Sequence, residues 1–282
     1  MPLPSFSSLL KFYLFLLTRR PRRMAQASDP SRFAVLPPLD QRWTTVPAWV
    51  ERLRVLPNAE SYRIVALELY KDPKGIQHEW IRFTLVDSNI EDPVSLATIK
   101  TDRCSSVDGG SSVDIASSPS KPGEAFDRII HALDPEGADL LGKGARLIME
   151  TTYEDLAGAP SILDVAAALT GIHVFTPNYD AITSACFNYA IASFLLITEK
   201  FPDCSPVHIL GKHGYAANVV KTARWAAVLK ALKITDHIPP ERCLPQLAAA
   251  YEAALFEIKA LCQQHKSIAD NLQVALQDRE VA

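Results

Sequence analysis

The sequence has no Cys-x-x-Cys pair, and its cysteines are neither even in number nor regularly spaced. A disulfide scaffold needs an even set of cysteines, and a structural zinc site needs closely spaced ligand pairs, so the pattern argues against both. We therefore expect mostly inert thiols in a reducing compartment and predict a cytoplasmic protein. The five cysteines are Cys104, Cys186, Cys204, Cys243 and Cys262.

Long basic stretches with interleaved aromatic residues are missing as well. The net charge is −3 and both signs are mixed along the chain, which argues against a nucleic-acid partner. Neither Gly109-Gly110 nor Gly142-Lys143-Gly144 has the spacing of a phosphate-binding loop. His208 and His213 lie near Cys204 in the sequence, but three ligands fall short of the four in a structural zinc site. We predict neither a cofactor nor a metal ion.

No apolar run clearly reaches the roughly 20 residues that a membrane-spanning helix needs. The longest, 181–197, is interrupted by polar residues and predicts a buried helix capped by Thr183 or Ser184. Residues 1–28 contain no acidic side chain, and arginines follow a short apolar run. This start is similar to a signal-peptide core or a mitochondrial presequence, or the true start is Met24. Mitochondrial targeting or membrane association through residues 1–23 therefore stays open beside the cytoplasmic prediction.

What the sequence does contain is a clear antiparallel strand pair. Residues 62–70 and 77–86 alternate in polarity and flank a turn, Asp72-Pro73-Lys74-Gly75, in which Pro fixes φ and Gly accepts a positive φ. The alternation places His78 on the same face as Trp80 and Arg82. Residues 94–101 and 147–152 are further candidate strands.

Helical spacing dominates the second half of the chain. A helix is predicted over 161–169, closed by Gly171, and an amphipathic one over 247–276. The pattern also favours helices over 124–133 and 216–233, a short surface element over 43–54 in which Trp43 and Trp49 pack, and loops over 104–123 and 202–214. Several carboxylates near the middle of the chain are expected on a solvated face: Asp127, Asp134, Glu136 and Asp139.

These elements predict an α+β fold, with a small antiparallel sheet packed on a buried Cys-bearing helix and a helical C-terminal region. The expected divisions are a targeting or disordered lead-in over residues 1–40, an α+β domain over 41–204 and a helical region over 205–282. The Ser- and Gly-rich segment 104–123 is long for a loop, which is typical of disorder or of a lid.

Cys186 is the candidate nucleophile. It stands in the first turn of the predicted buried helix, where unpaired N–H groups and the helix dipole favour a thiolate. Such a cysteine needs a base that is near in space, and His78 at the start of its strand is the best candidate. Asp102 on the following strand is the natural group to orient the imidazole, with Lys100 and Thr101 as weaker candidates.

Two segments carry a family resemblance: Gly75-Ile76-Gln77-His78-Glu79-Trp80 and Ser184-Ala185-Cys186-Phe187-Asn188-Tyr189-Ala190. They resemble the circularly permuted papain-like thiol enzymes, among them the lecithin–retinol acyltransferase group and relatives of bacterial cell-wall endopeptidases. A set of uncharacterised fungal proteins is similar too. The resemblance covers roughly residues 60–200. The sequence departs from the group because no Asn precedes Cys186 and no second His follows His78 on the next strand.

The resemblance implies a thiol-dependent hydrolase or acyltransferase, with Cys186 as nucleophile and His78 as general base. The resemblance leaves three substrate classes open: a peptide amide, an isopeptide or a lipid acyl ester. The alternative from another class is a catalytically inactive interaction module, with a helical partner bound through 247–276. A cysteine on an apolar helix is otherwise an ordinary small buried side chain.

Overall fold

The structure, a computed structural model, describes residues 43–56, 58–71, 79–90, 97–104, 123–124, 126–131, 145–175, 178–179, 186–205, 207–210, 216–219 and 240–281. It confirms the α+β class. The helices are α1 (Val46–Leu53), α2 (Ile162–Phe175), α3 (Cys186–Lys200) and α4 (Pro240–Val281). The strands are β1 (Trp43–Thr45), β2 (Tyr62–Lys71), β3 (Glu79–Asp87), β4 (Ala97–Cys104), β5 (Gly123–Glu124), β6 (Phe126–His131), β7 (Arg146–Thr152), β8 (Asn178–Tyr179), β9 (Val207–Leu210) and β10 (Ala216–Val219).

Eight of the described strands form one antiparallel sheet in the order β1-β6-β4-β3-β2-β7-β9-β10, so the sheet is larger than the small one expected. The predicted hairpin is confirmed: Tyr70 stands opposite Trp80, and a register shift lies between Ile64 and Ala66. β5 and β8 pair separately as a short ribbon, in which Gly123 stands opposite Tyr179. The sheet therefore joins segments from both halves of the chain.

One face of the sheet carries the core. Side chains two residues apart on β2 and β3 share a face, and those on this face are fully buried under α2 and α3. Trp49 of α1 packs near Phe83, with ring centroids 6.4 Å apart, which confirms that this tryptophan serves packing. The sheet side chains of this face include Ile64, Leu67, Leu69, Ile81, Phe83 and Leu85.

α2 is the central helix and is buried on almost all sides. Its start is fixed by a reciprocal cap. The Ser161 backbone N–H donates to Asp164 Oδ2 over 2.8 Å, and the Asp164 N–H reaches Ser161 Oγ. The prediction that Gly171 closes this helix was wrong, because α2 runs on to Phe175. Gly171 instead lets the backbone of α4 approach closely: a Cβ there would lie 3.0 Å from the amide nitrogen of Tyr251.

α4 packs on α2 along its first half only. Leu247, Tyr251, Ala254 and Ile258 are buried there. Beyond Cys262 the helix runs out from the core, and its side chains are mostly exposed. No helix in the described part of the chain is long and apolar enough to cross a membrane.

Three predicted elements differ from the structure. Residues 126–131, expected in a helix, form β6, because pairing with β4 overrides the local preference of this segment. Residues 207–210 of the expected loop form β9, which pairs with β7. Residues 216–219, expected to begin a helix, form β10. Residues 105–122 of the loop predicted over 104–123 lie outside the described residues.

Candidate functional site

The predicted buried helix is α3, and it begins at Cys186. The side chain of Cys186 lies outside the described part of the chain. One turn later, the fully buried Tyr189 places its hydroxyl 2.9 Å from Oγ1 of Thr101 on β4. Burial, reinforced by the nearby Asp127 carboxylate, raises the pKa of Tyr189 well above its ordinary value. The first turn of α3 is therefore fixed to the sheet by a neutral hydroxyl pair.

Arg103, two residues after Thr101, extends this contact. Its guanidinium carbon lies 4.8 Å from the centroid of the Tyr189 ring. Its Nε and Nη2 donate to the two carboxylate oxygens of Asp127 on β6, over 2.6 and 2.8 Å. Both side chains are fully buried. The expectation that Asp127 lies on a solvated face was wrong, because its charge is matched inside the core by Arg103.

His173 in the last turn of α2 binds the same carboxylate. Its Nδ1 lies 2.8 Å from Oδ2 of Asp127. A histidine whose Nδ1–H is held by a carboxylate has a fixed ring orientation and tautomer, and its Nε2 is left to accept a proton. None of the described residues hydrogen-bonds that Nε2, and 27% of the His173 side chain is exposed.

We call these five side chains the Asp127 cluster: Thr101, Arg103, Asp127, His173 and Tyr189. They meet at one end of the sheet, where β4 ends and β6 begins, since Arg103 stands directly opposite Asp127. The ribbon of β5 and β8 lies near this end in sequence. β5 precedes β6 by one residue, and β8 belongs to the connection between α2 and α3. The end of α2 and the start of α3 are thus both tied to this end of the sheet.

Asp102, the predicted orienting group, lies outside the Asp127 cluster. Successive side chains on a strand point to opposite faces, and Thr101 and Arg103 are the ones that contact α3. Asp102 points to the other face, where Arg128 donates to both of its oxygens over 2.9 and 3.0 Å. Lys100 lies 3.6 Å from Oδ2 of Asp102. These partners neutralise the buried Asp102 carboxylate and do not fit a role in orienting an imidazole beside α3.

The same face carries further charged and aromatic side chains. The ring of Trp80 stacks on Tyr70 with centroids 4.5 Å apart, and Lys100 Nζ lies 4.3 Å from the Trp80 ring centroid. Arg82 donates to both oxygens of Glu68. This face is thus held by ion pairs, aromatic stacking and a cation over an aromatic ring. It is the face on which the sequence alternation also placed His78, which itself lies outside the described residues.

Three cysteines have described side chains, and they form no disulfide within the described part of the chain. Cys104 lies 3.5 Å from the carbonyl oxygen of Phe126, and Cys204 is buried in a small satellite cluster. Burial raises the pKa of the Cys262 thiol, with a smaller contribution from Glu60. Cys104 and Cys262 provide internal comparisons for the reactivity of Cys186.

The sequence did not single out His173 or Arg103. A strand assignment for 126–131 would have placed Asp127 on the same face as the buried Ile129, and that alternation was the available signal. His173 and Asp127 are 46 residues apart, and only the packing of α2 on the sheet brings them together. Comparisons of the chain with protein-family models, with curated proteins and with solved structures found no match.

Proposed function

We propose that this protein is a thiol-dependent hydrolase or acyltransferase in which Cys186 is the nucleophile. The observation that carries the proposal is the seating of the first turn of α3. One turn after Cys186, Tyr189 contacts Thr101 and Arg103, and Arg103 shares the Asp127 carboxylate with His173. The first turn of α3 is thus linked through Arg103 and Asp127 to an oriented imidazole, and a helix start and a nearby base are what a reactive thiol needs.

The chemistry follows from these groups. The imidazole takes the proton of the thiol, and the sulfur attacks the carbonyl carbon of an amide or ester. The bond from that carbon to the leaving nitrogen or oxygen breaks, and the imidazolium protonates the leaving group. Water or an acceptor hydroxyl or amine then attacks the thioester and regenerates the thiol. Backbone N–H groups at the start of α3 are suited to stabilise the oxyanion.

The substrate class stays open between a peptide or isopeptide amide and a lipid acyl ester. The family resemblance assigns the base to His78. A free catalytic thiol also needs a reducing compartment, which fits the predicted cytoplasmic location.

The test is a comparison of thiols within the intact chain. Each cysteine is alkylated with iodoacetamide near neutral pH, and the labelled peptides are quantified by mass spectrometry over time. An ordinary thiol is only a few per cent thiolate at pH 7, so a Cys186 activated as proposed should react about five to ten times faster than Cys262. The C186S variant should leave the labelling rates of Cys104 and Cys262 unchanged.

Equal labelling rates for Cys186 and Cys262 in the folded chain would sink the proposal. Because burial raises the pKa of Cys262 and slows its reaction, Cys186 must also react faster in the folded chain than it does in the urea-unfolded chain to support the proposal. Faster labelling of Cys186 would justify a search with peptide thioesters, isopeptides and acyl esters. The C186S variant is then the control for every hydrolysis rate.

Partner binding through α4 is a second candidate function. This function is favoured by apolar side chains that are exposed in the second half of α4, which does not pack on α2. Among them are Ile268, Leu272 and Leu276. Apolar side chains at three- and four-residue spacing are typical of a helix that pairs with another helix. Sedimentation of the intact chain and of a chain ending at His265 tests self-association. A mass above the monomer in the intact chain alone supports pairing between copies.

A further inference from the structure

We propose that His173, held by Asp127, is the base that takes the proton of the Cys186 thiol, in place of His78. This inference rests on the proposed function and assigns its second group. It starts from the 2.8 Å contact between Nδ1 of His173 and Oδ2 of Asp127. A carboxylate on Nδ1 stabilises the imidazolium that forms when Nε2 accepts a proton.

The surroundings of Asp127 favour this role over a purely structural one. Arg103 occupies both carboxylate oxygens and already neutralises the buried charge. His173 is therefore a second partner of Asp127 Oδ2, which already accepts from Arg103. The His173 side chain is also partly exposed. The other charged or hydroxyl side chains of the Asp127 cluster are Arg103 and Thr101 from β4, Asp127 from β6 and Tyr189 from α3. Among these side chains, His173 has a ring nitrogen, Nε2, that no described residue occupies.

The placement of the two helices brings His173 toward the start of α3. His173 is two residues from the end of α2, and Cys186 is the first residue of α3. Cys186 precedes Tyr189 by three residues, which is less than one helical turn and about 5 Å along the axis. Three successive contacts, Tyr189–Arg103, Arg103–Asp127 and Asp127–His173, connect the two rings.

The alternation of β3 argues against His78. Ile81 stands opposite Thr101, which contacts α3, so the odd-numbered residues of β3 share the face of α3. Trp80 and Arg82 lie on the opposite face, with Lys100 and Glu68 as partners. The sequence pattern grouped His78 with Trp80 and Arg82, so that pattern does not favour His78 as the base for a thiol on α3.

The experiment measures iodoacetamide labelling of Cys186 in the full chain from about pH 5.5 to about pH 9, a range that covers the ordinary pKa values of histidine and cysteine. The variants are H173Q, H78Q and, as matched control, H265Q on α4. His173 is partly exposed and on the last turn of its helix, so H173Q is expected to fold. D127N would leave Arg103 buried without its counter-charge, so it is not the primary test.

The expected result is that H173Q slows the labelling of Cys186 near pH 7 about tenfold and moves the midpoint of its pH profile upward, because the thiolate loses its imidazolium partner. H78Q and H265Q should leave the profile unchanged. Fast labelling that survives H173Q and disappears in H78Q overturns this inference and leaves the proposed function intact. Labelling of Cys186 no faster than that of Cys262 overturns both. Circular dichroism and urea unfolding confirm that each variant is folded.

Discussion

The hydroxyl of Tyr251 on α4 donates a 3.0 Å hydrogen bond to Oδ1 of Asp164, the residue whose other oxygen caps the start of α2. Both side chains are buried. One carboxylate therefore fixes the beginning of the central helix and attaches the C-terminal helix to it. The attachment joins residues 87 positions apart.

Replacing Tyr251 with Phe should lower the free energy of unfolding by about 1–3 kcal/mol, because it leaves a buried carboxylate oxygen without its donor. Y153F is the matched control: the buried hydroxyl of Tyr153 has no hydrogen-bond partner among the described residues, so its removal should cost little or even stabilise. Urea unfolding of both variants checks this. Equal losses in the two variants would contradict the role given to the Tyr251 hydroxyl.

Replacing Gly171 with Ala should destabilise the protein by about 1–3 kcal/mol. The added Cβ would lie 3.0 Å from the Tyr251 nitrogen and 3.1 Å from the Ala250 carbonyl carbon, and backbone atoms cannot move aside as a flexible side chain can. The better helix propensity of Ala, worth up to about 1 kcal/mol, offsets only part of this.

G158A is the control for that substitution. The nearest atom to a Cβ at Gly158 lies 3.6 Å away, which is ordinary contact, and we expect a change below about 0.5 kcal/mol. A G171A variant as stable as G158A would mean that α2 and α4 do not pack this closely.

Stability should fall steeply as pH rises above about 10. Burial raises the pKa of Tyr189 and of Tyr251 in the folded protein, with further contributions from Asp127 and Asp164 respectively. The unfolded chain therefore releases these protons first. The stabilisation is complete below the unfolded pKa of about 10 and is lost as pH rises through the folded values.

Unfolding free energies measured between about pH 8 and pH 11 check this sign. The Y189F variant removes one of the groups, so its stability should fall less steeply above pH 10 than that of the unchanged chain. The comparison concerns slopes, because Y189F also loses the contact with Thr101 and is less stable at every pH. Parallel slopes would show that Tyr189 is not a buried neutral phenol.

The two halves of α4 should respond differently to substitution. I258A should cost about 2–5 kcal/mol because Ile258 is only 3% exposed in the core. L272E should change the unfolding free energy by less than about 0.5 kcal/mol, since 60% of Leu272 is exposed. A large loss in L272E, especially one that depends on protein concentration, would indicate that this half of α4 is covered by a partner in solution.

Local pattern was sufficient for some elements. The period-2 alternation around the Pro-Gly turn predicted the hairpin of β2 and β3, and the long apolar run interrupted by polar residues predicted the buried helix α3. The same logic failed for 126–131. Its sequence does not distinguish helix from strand, and pairing with β4 decided the outcome. The prediction that Gly171 ends α2 failed for a related reason. The role of Gly171 is set by the close approach of α4 and not by its neighbours in the sequence.

The sequence by itself determined the α+β class, the hairpin, the buried apolar helix that contains Cys186 and the amphipathic character of α4. Each of these depends on residues close together in the chain, whose side chains share a face through the regular periods of helix and strand. Only the tertiary structure decided that Asp127 is buried and that Arg103 and His173 share its carboxylate. It also decided that Asp102 points away from α3 to Arg128. These contacts join distant segments, and the pairing of strands and packing of helices that create them leave no local signature.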